Sequence, residues 1–154
     1  MEIQSKSNIM QIFDYSLEEL DAAIPEIWTH IQKAKVVALV GDLGAGKTTF
    51  VAHLCKYLQV TDEVSSPTFA LYNEYIVVNH PPIERIIHAD LYRIEEIEEL
   101  LEIGFEEMLE DSKTLFFIEW PQISETLLPE DTLRLQITIA EDGKRQMRVQ
   151  SYFQ

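Results

Sequence analysis

With 154 residues and 46% apolar content, the chain has the length of one domain and enough apolar mass for a single core, so 1–154 is read as one unit. Lys and Arg number 12 against 27 Asp and Glu, a formal net charge of -15, which excludes a broad basic surface able to grip a nucleic-acid backbone unaided. The single cysteine, Cys55, excludes an internal disulfide and a multi-thiolate metal site, and no stretch approaches the roughly 18–20 uninterrupted apolar residues of a membrane span.

The start, MEIQSKSNIMQIFDYS, lacks the basic-then-apolar pattern of a signal peptide, so a cytoplasmic protein is expected. Ser16 followed by Glu19 is a capping-box pattern, and Leu17, Leu20, Ile24, Ile27 and Ile31 recur at helical spacing. They predict a helix over about 16–33, which Pro25 either kinks or starts later. The apolar run VVALV at 36–40, stopped by Gly41, suits a strand buried on both faces, and a Gly-rich turn and a helix over about 47–58 follow. Aromatic and β-branched residues over 69–78 and again over 83–91, separated by Asn79-His80-Pro81-Pro82, predict two strands joined by a turn. Ile97, Leu100, Leu101, Phe105, Met108 and Leu109 keep helical spacing among glutamates, predicting an amphipathic helix broken near Gly104 with a strongly acidic outer face. TLFFI at 114–118 is a second buried-strand run, and 133–140 and 146–153, split by Glu141-Asp142-Gly143, read as a terminal antiparallel hairpin. Alternation of strands and helices followed by closing strands makes the class α/β.

Gly41-Asp42-Leu43-Gly44-Ala45-Gly46-Lys47-Thr48 matches G-x-x-x-x-G-K-[ST] at every fixed position, between a buried-strand run and a helix. Glycines let such a backbone fold into a nest of N–H groups that face phosphate, Lys47 adds a charge for the β- and γ-phosphates, and the Thr48 hydroxyl ligates Mg²⁺. Asp42 is the odd member, since a carboxylate in an anion cradle either turns outward, the favoured reading, or helps hold the magnesium hydration shell. Hydrolysis of a nucleoside triphosphate further needs a strand-end carboxylate for the metal and a group that orients water. Asp90 and Glu119 are each the first acid after a strand-like apolar run, and spacing does not divide the two roles between them. Thr68, in the polar segment Ser65-Ser66-Pro67-Thr68, is a candidate γ-phosphate or magnesium sensor, and Trp120 either covers the site or packs beneath the acidic helix. Cys55 is read as buried against the sheet, and His88 as a core or supporting histidine.

GDLGAGKTTF at 41–50, SSPTF at 65–69, HADLYRI at 88–94, EELLEIGFEE at 98–107 and IEWP at 118–121 together resemble the TsaE family, bacterial ATPases required for making threonylcarbamoyladenosine in tRNA. The resemblance implies a P-loop fold, a three-layer sandwich whose mixed, mostly parallel sheet carries a C-terminal antiparallel hairpin. It also implies binding of ATP and ADP, Mg²⁺-dependent hydrolysis, and work beside the TsaB–TsaD complex, which the ATP cycle resets between turnovers. Transfer RNA is then reached only through that complex, and any self-association is weak. Carried over by position, residues 41–48 and Thr49 wrap the nucleotide, Thr48 and Glu119 bind Mg²⁺, Asp90 lies beside the metal and the attacking water, Thr68 is the switch residue and Trp120 shapes the pocket. Leu17 and Arg145 stand where the family's nucleotide pocket draws on the N-terminal segment and the last hairpin.

The rivals are a small-molecule kinase, a GTPase and a nucleotide-gated binding module. None of the five arginines, Arg85, Arg93, Arg134, Arg145 and Arg148, lies in a lid-like insertion, and no Asn-Lys-x-Asp guanine-reading motif occurs. A pure binding module has no need of Asp90 and Glu119 beside a phosphate loop, although the acidic helix would suit a basic partner.

Overall fold

The computed structural model describes residues 9–65, 67 and 71–153. Seven strands form one sheet: β1 (Ile9–Tyr15), β2 (Val36–Val40), β3 (Tyr72–Ile76), β4 (Arg85–Asp90), β5 (Thr114–Glu119), β6 (Leu133–Ile139) and β7 (Arg145–Ser151), in the spatial order β1-β7-β6-β2-β5-β4-β3. The central strands β6, β2, β5 and β4 run parallel, while β7 and β1 on one flank and β3 on the other add antiparallel pairings. The mixed sheet and the C-terminal hairpin match the expectation. The N-terminal strand β1 does not appear in the sequence reading: its run IMQIFDY is short and mixes polar with apolar residues, and only pairing with β7 makes it a strand.

Alternation along the central strands sorts the core into two layers. Val37, Leu39, Leu115, Phe117, Leu135 and Ile137 point to one side, where they meet α1 (Leu20–Ile31) and α2 (Lys47–Tyr57). Val36, Ile87, Ala89, Phe116 and Ile118 point to the other, against α3 (Ile97–Glu102) and α4 (Phe105–Leu109). Because both faces are covered, every residue of β5 is buried, and this is why TLFFI reads as a continuous apolar run rather than an alternating one.

The helix expected over 16–33 begins as a 3₁₀ turn, Leu17–Glu19, under the anticipated capping box: Glu19 N–H donates to Ser16 Oγ and Ser16 N–H to the Glu19 carboxylate. It continues as α1, whose Leu20, Ile24, Ile27, Trp28 and Ile31 are buried at helical spacing, each burial stabilising the fold by roughly 2 kcal/mol before entropy is counted. Pro25 lies inside α1 on its exposed face, so the carbonyl left without an N–H partner meets water and the helix carries on. The acidic helix divides where expected, at Gly104, whose φ of 78° is left-handed and starts α4.

A Cβ at Gly104 would meet nothing closer than Glu107 Oε1 at 3.5 Å, an ordinary contact, so substitution there isolates backbone strain. Gly104→Ala is expected to lower stability by about 1 kcal/mol. Urea titration should show this as a lower midpoint at unchanged slope, with nucleotide binding unaltered.

Candidate nucleotide site

The strand periodicity that separates the two core layers also places the chemistry. His88 and Asp90 on β4 and Glu119 at the end of β5 share the α2 side of the sheet with Leu39 and Phe117. Parallel register pairs Asp90 with Glu119, and β2, between β5 and β6, feeds the phosphate loop directly into α2. Three strand ends thus converge on the N-terminus of one helix, where unpaired backbone N–H groups and the helix dipole favour an anion.

The loop itself is built for close approach. A Cβ on Gly41 would stand 2.6 Å from the backbone oxygen of Ile137 on β6, so only glycine fits there. Gly44 and Gly46 take φ of 81° and 108°, the left-handed turns that a nest of N–H groups requires. Lys47 is buried and its ammonium donates to the Gly41 carbonyl while lying 5.0 Å from the Trp120 ring centroid. Trp120 in turn stacks at a tilt on Tyr92, with centroids 5.0 Å apart. The indole therefore covers the cleft rather than packing beneath the acidic helix.

Thr48 Oγ1 donates to Glu119 Oε2 at 3.3 Å, and His88 Nε2 lies 2.6 Å from the same oxygen. Both His88 and Glu119 are buried; a carboxylate oxygen only accepts, so Nε2 is the donor, and Nδ1 has no hydrogen-bond partner among the described residues. His88 thus supports Glu119, as a histidine behind a carboxylate ligand would. Desolvation raises the Asp90 carboxyl above the usual carboxylate range; the N–H of Tyr92, donated to Asp90 Oδ1 at 3.0 Å, opposes this, the Glu119 charge adds to it, and His88 and Lys47 act against it. An acid pair held beside a hydroxyl is a hard-oxygen donor set that fits Mg²⁺, and the carboxylate repulsion is what such a cation relieves. Among the described residues no three His, Cys, Asp or Glu side chains form a cage, so Mg²⁺ here would take its remaining ligands from phosphate and water.

An open cleft of about 310 Å³ is lined by Leu43, Gly44, Gly46, Lys47, Thr48, Thr49, Asp90, Glu119, Trp120 and Arg145. Next to it lies an apolar slot of about 100 Å³ lined by Tyr15, Leu17, Leu20, Gly46, Thr49 and Arg145. The structure thus brings together nearly all the residues singled out from the sequence, including Leu17 and Arg145. Asp42 is exposed and does not line this cleft, in keeping with the outward reading, and Ala45 is buried within the loop. Thr68 lies outside the described residues. Sequence reasoning missed Tyr15 and Leu20 as slot residues and Tyr92 as the support of Trp120. Their only sequence signal was proximity to Leu17 and Asp90.

The profile of a family described as "Threonylcarbamoyl adenosine biosynthesis protein TsaE" matches residues 15–147. The chain belongs to the TsaE family. Among curated relatives named "tRNA threonylcarbamoyladenosine biosynthesis protein TsaE", that of Rickettsia bellii is 40% identical over 111 residues, covering 71% of this chain and 73% of that protein. The Treponema pallidum relative of the same name is 34% identical over 119 residues, covering 77% of this chain and 84% of that protein. A crystal structure of Bacillus subtilis YdiB superposes with a TM-score of 0.64 at 26% identity, over 92% of this chain and 86% of that one. TsaE membership brings with it a nucleotide-binding P-loop fold of the ATPase type. No described helix is long and apolar enough to cross a membrane.

Cys55, on α2, is buried and its thiol is pushed from an ordinary 9.0 up to about 12, by desolvation first and the Asp62 charge second. The fold therefore holds the thiol neutral where the unfolded chain ionises it. That stability is fully present below pH 9.0 and is lost as pH rises toward about 12. Urea unfolding at about pH 7 and about pH 10.5 is expected to show a larger alkaline loss in the native chain than in Cys55→Ala. Equal losses in the two proteins would contradict it.

Proposed function

We propose that this single P-loop domain is a cytoplasmic, Mg²⁺-dependent ATPase that serves threonylcarbamoylation of the adenosine beside the tRNA anticodon. It acts with the TsaB–TsaD complex, resetting it between turnovers. The observation that carries the hydrolytic part is the grouping of Lys47, Thr48, Asp90 and Glu119 in one cleft, where β2, β4 and β5 end against α2. The biosynthetic part rests on membership of the family and on the activity for which its relatives are named.

Residues 41–48 and Thr49 would wrap the phosphates, with backbone N–H groups and the helix end supplying most of the attraction. Lys47, held by the Gly41 carbonyl and the Trp120 face, need move only its flexible stem to reach the β- and γ-phosphates. Thr48 and Glu119 would hold Mg²⁺, which neutralises charge developing on the transferred phosphoryl group. Asp90, fixed by the Tyr92 N–H, would orient the attacking water by accepting its hydrogen bond. The slot formed by Tyr15, Leu17 and Leu20 would take the base, ATP entering and ADP leaving by the same cleft. An apolar side chain such as Leu17 cannot read polar base edges, so adenine selection there would rest on backbone contact and shape. With 27 acids against 12 bases, contact with tRNA is assigned to the partner complex.

The test is hydrolysis of Mg²⁺-ATP by the purified chain with and without TsaB–TsaD. Stimulation by the pair is expected, and Lys47→Ala is expected to abolish both tight nucleotide binding and turnover. Asp90→Ala and Glu119→Ala are expected to cut turnover by about 10²-fold or more while changing nucleotide Kd by less than about threefold. Turnover unaffected by either acid substitution removes these residues from the mechanism, and nucleotide binding without hydrolysis under any condition favours a nucleotide-gated binding module.

A further inference from the structure

Arg145 opens β7 and stands opposite Tyr15 of β1 and Ile139 of β6, at the corner where the terminal hairpin meets the N-terminal strand. Its side chain leaves that corner and reaches the middle of the phosphate loop. Nε donates to the Ala45 carbonyl at 2.9 Å, and Nη1 donates to the Gly143 carbonyl in the hairpin's own turn at 2.8 Å. A planar guanidinium thus ties two backbone segments 98 residues apart in sequence, Ala45 and Gly143, in a fixed geometry that a single-point cation does not impose. The same turn is tethered a second time: Lys144 lies 3.7 Å from Glu19, the residue that closes the capping box with Ser16.

The Ala45 carbonyl matters because of where it sits in the nest. A peptide unit is planar, so the Ala45 C=O and the following Gly46 N–H point in opposite directions. Whatever fixes the carbonyl therefore fixes the direction of that N–H as well. A Cβ built on Gly46 would lie 3.6 Å from Arg145 Nε, which places the guanidinium against this peptide. Arg145 also lines both the phosphate cleft and the apolar slot, as do Gly46 and Thr49.

We propose that Arg145 is a positioning residue: anchored on the terminal hairpin, it fixes the Ala45–Gly46 peptide so that the phosphate loop is preformed for an oligophosphate, whatever base is attached. The inference rests on the proposed nucleotide site and differs from a role in reading the base. Preorganised N–H donors bind without first losing conformational freedom, so release of the peptide lowers affinity for any polyphosphate chain. The hairpin is then part of the binding machinery although it carries no motif.

Three replacements separate the strut from its alternatives. Arg145→Gln places an amide N–H where Nε stands and carries no charge, keeping a donor for the Ala45 carbonyl. Arg145→Leu keeps the bulk with no donor, and Arg145→Ala serves as a second donor-free variant should Leu misfold. Dissociation constants are measured by calorimetry for Mg²⁺-ATP and for inorganic tripolyphosphate, with thermal melting of the ligand-free proteins alongside. The expected result is that both ligands weaken by about tenfold or more in the Leu or Ala variant, and by no more than about threefold in Gln, at a ligand-free melting temperature matching that of Gln. Equal losses in Gln and the donor-free variants would assign the effect to charge, and loss for ATP with tripolyphosphate unchanged would make Arg145 a nucleoside contact. Affinities unchanged in every variant would show that the loop holds its shape unaided. Each of these outcomes overturns the strut. Failure of the unsubstituted protein to bind Mg²⁺-ATP would instead overturn the proposed site.

Discussion

Parallel pairing of β4 with β5 sets Asp90 opposite Glu119, and the rest of the cleft is arranged around the cost of keeping two carboxylates so close. Glu119 is almost fully buried, and Asp90 is desolvated enough to hold its carboxyl above the usual range. Desolvation is the larger cost at Asp90 and the Glu119 charge adds to it, and the pair persists because each member is hydrogen-bonded: Glu119 by His88 and Thr48, Asp90 by the N–H of Tyr92. The register that enforces the juxtaposition is itself fixed by burial. A one-residue slip of β4 or β5 would send Asp90 or Glu119 to the α3 and α4 side and bring Ala89 or Ile118 into its place, exchanging members between two apolar layers. The site is therefore as well defined as the core, because the same alternation defines both.

That dependence explains which parts of the molecule could be read from the chain. Elements whose character is written locally were legible: the phosphate loop, the doubly buried strands VVALV and TLFFI, the capping box at Ser16, the break at Gly104 and the terminal hairpin. What escaped was decided by pairing at a distance. IMQIFDY becomes a strand only because β7 offers its edge, and with that pairing Tyr15 enters the slot beside Arg145. His88 was recognisable as a supporting residue, yet its contact with Glu119 depends on adjacency of β4 and β5, which no spacing along the chain contains. The two strand-end acids were visible individually, and their mutual register was not.

Charge is distributed as unevenly as the structure is layered. A chain at -15 repels an oligophosphate at long range, and the glutamates of α3 and α4 contribute heavily to that field. Salt screens charges over roughly 8 Å at physiological ionic strength, so what a nucleotide meets in the cleft is dominated by its nearest groups. Those are the N-terminus of α2, Lys47 and the Arg145 guanidinium, which share one opening with the carboxylates of Asp90 and Glu119. Affinity must come from short-range, preorganised donors, which makes the geometry of the phosphate loop more decisive here than in a basic protein.

Trp120 shows how much backbone strain that geometry tolerates. Its φ of 56° and ψ of 60° are left-handed, a conformation costing a non-glycine residue on the order of 1–2 kcal/mol, and the following Pro121 disfavours the right-handed helical alternative. The strain persists because its neighbours are pinned: Glu119 ends a fully buried strand and accepts the Leu91 N–H on its backbone oxygen, while Pro121 is buried at the start of the 3₁₀ stretch Pro121–Leu127. An extended Trp120 would prolong β5 and direct the chain away from the cleft. The left-handed turn instead ends the strand at the acid and lays the indole across Lys47 and Tyr92, so strain at one residue places both the end of β5 and the roof of the phosphate cleft.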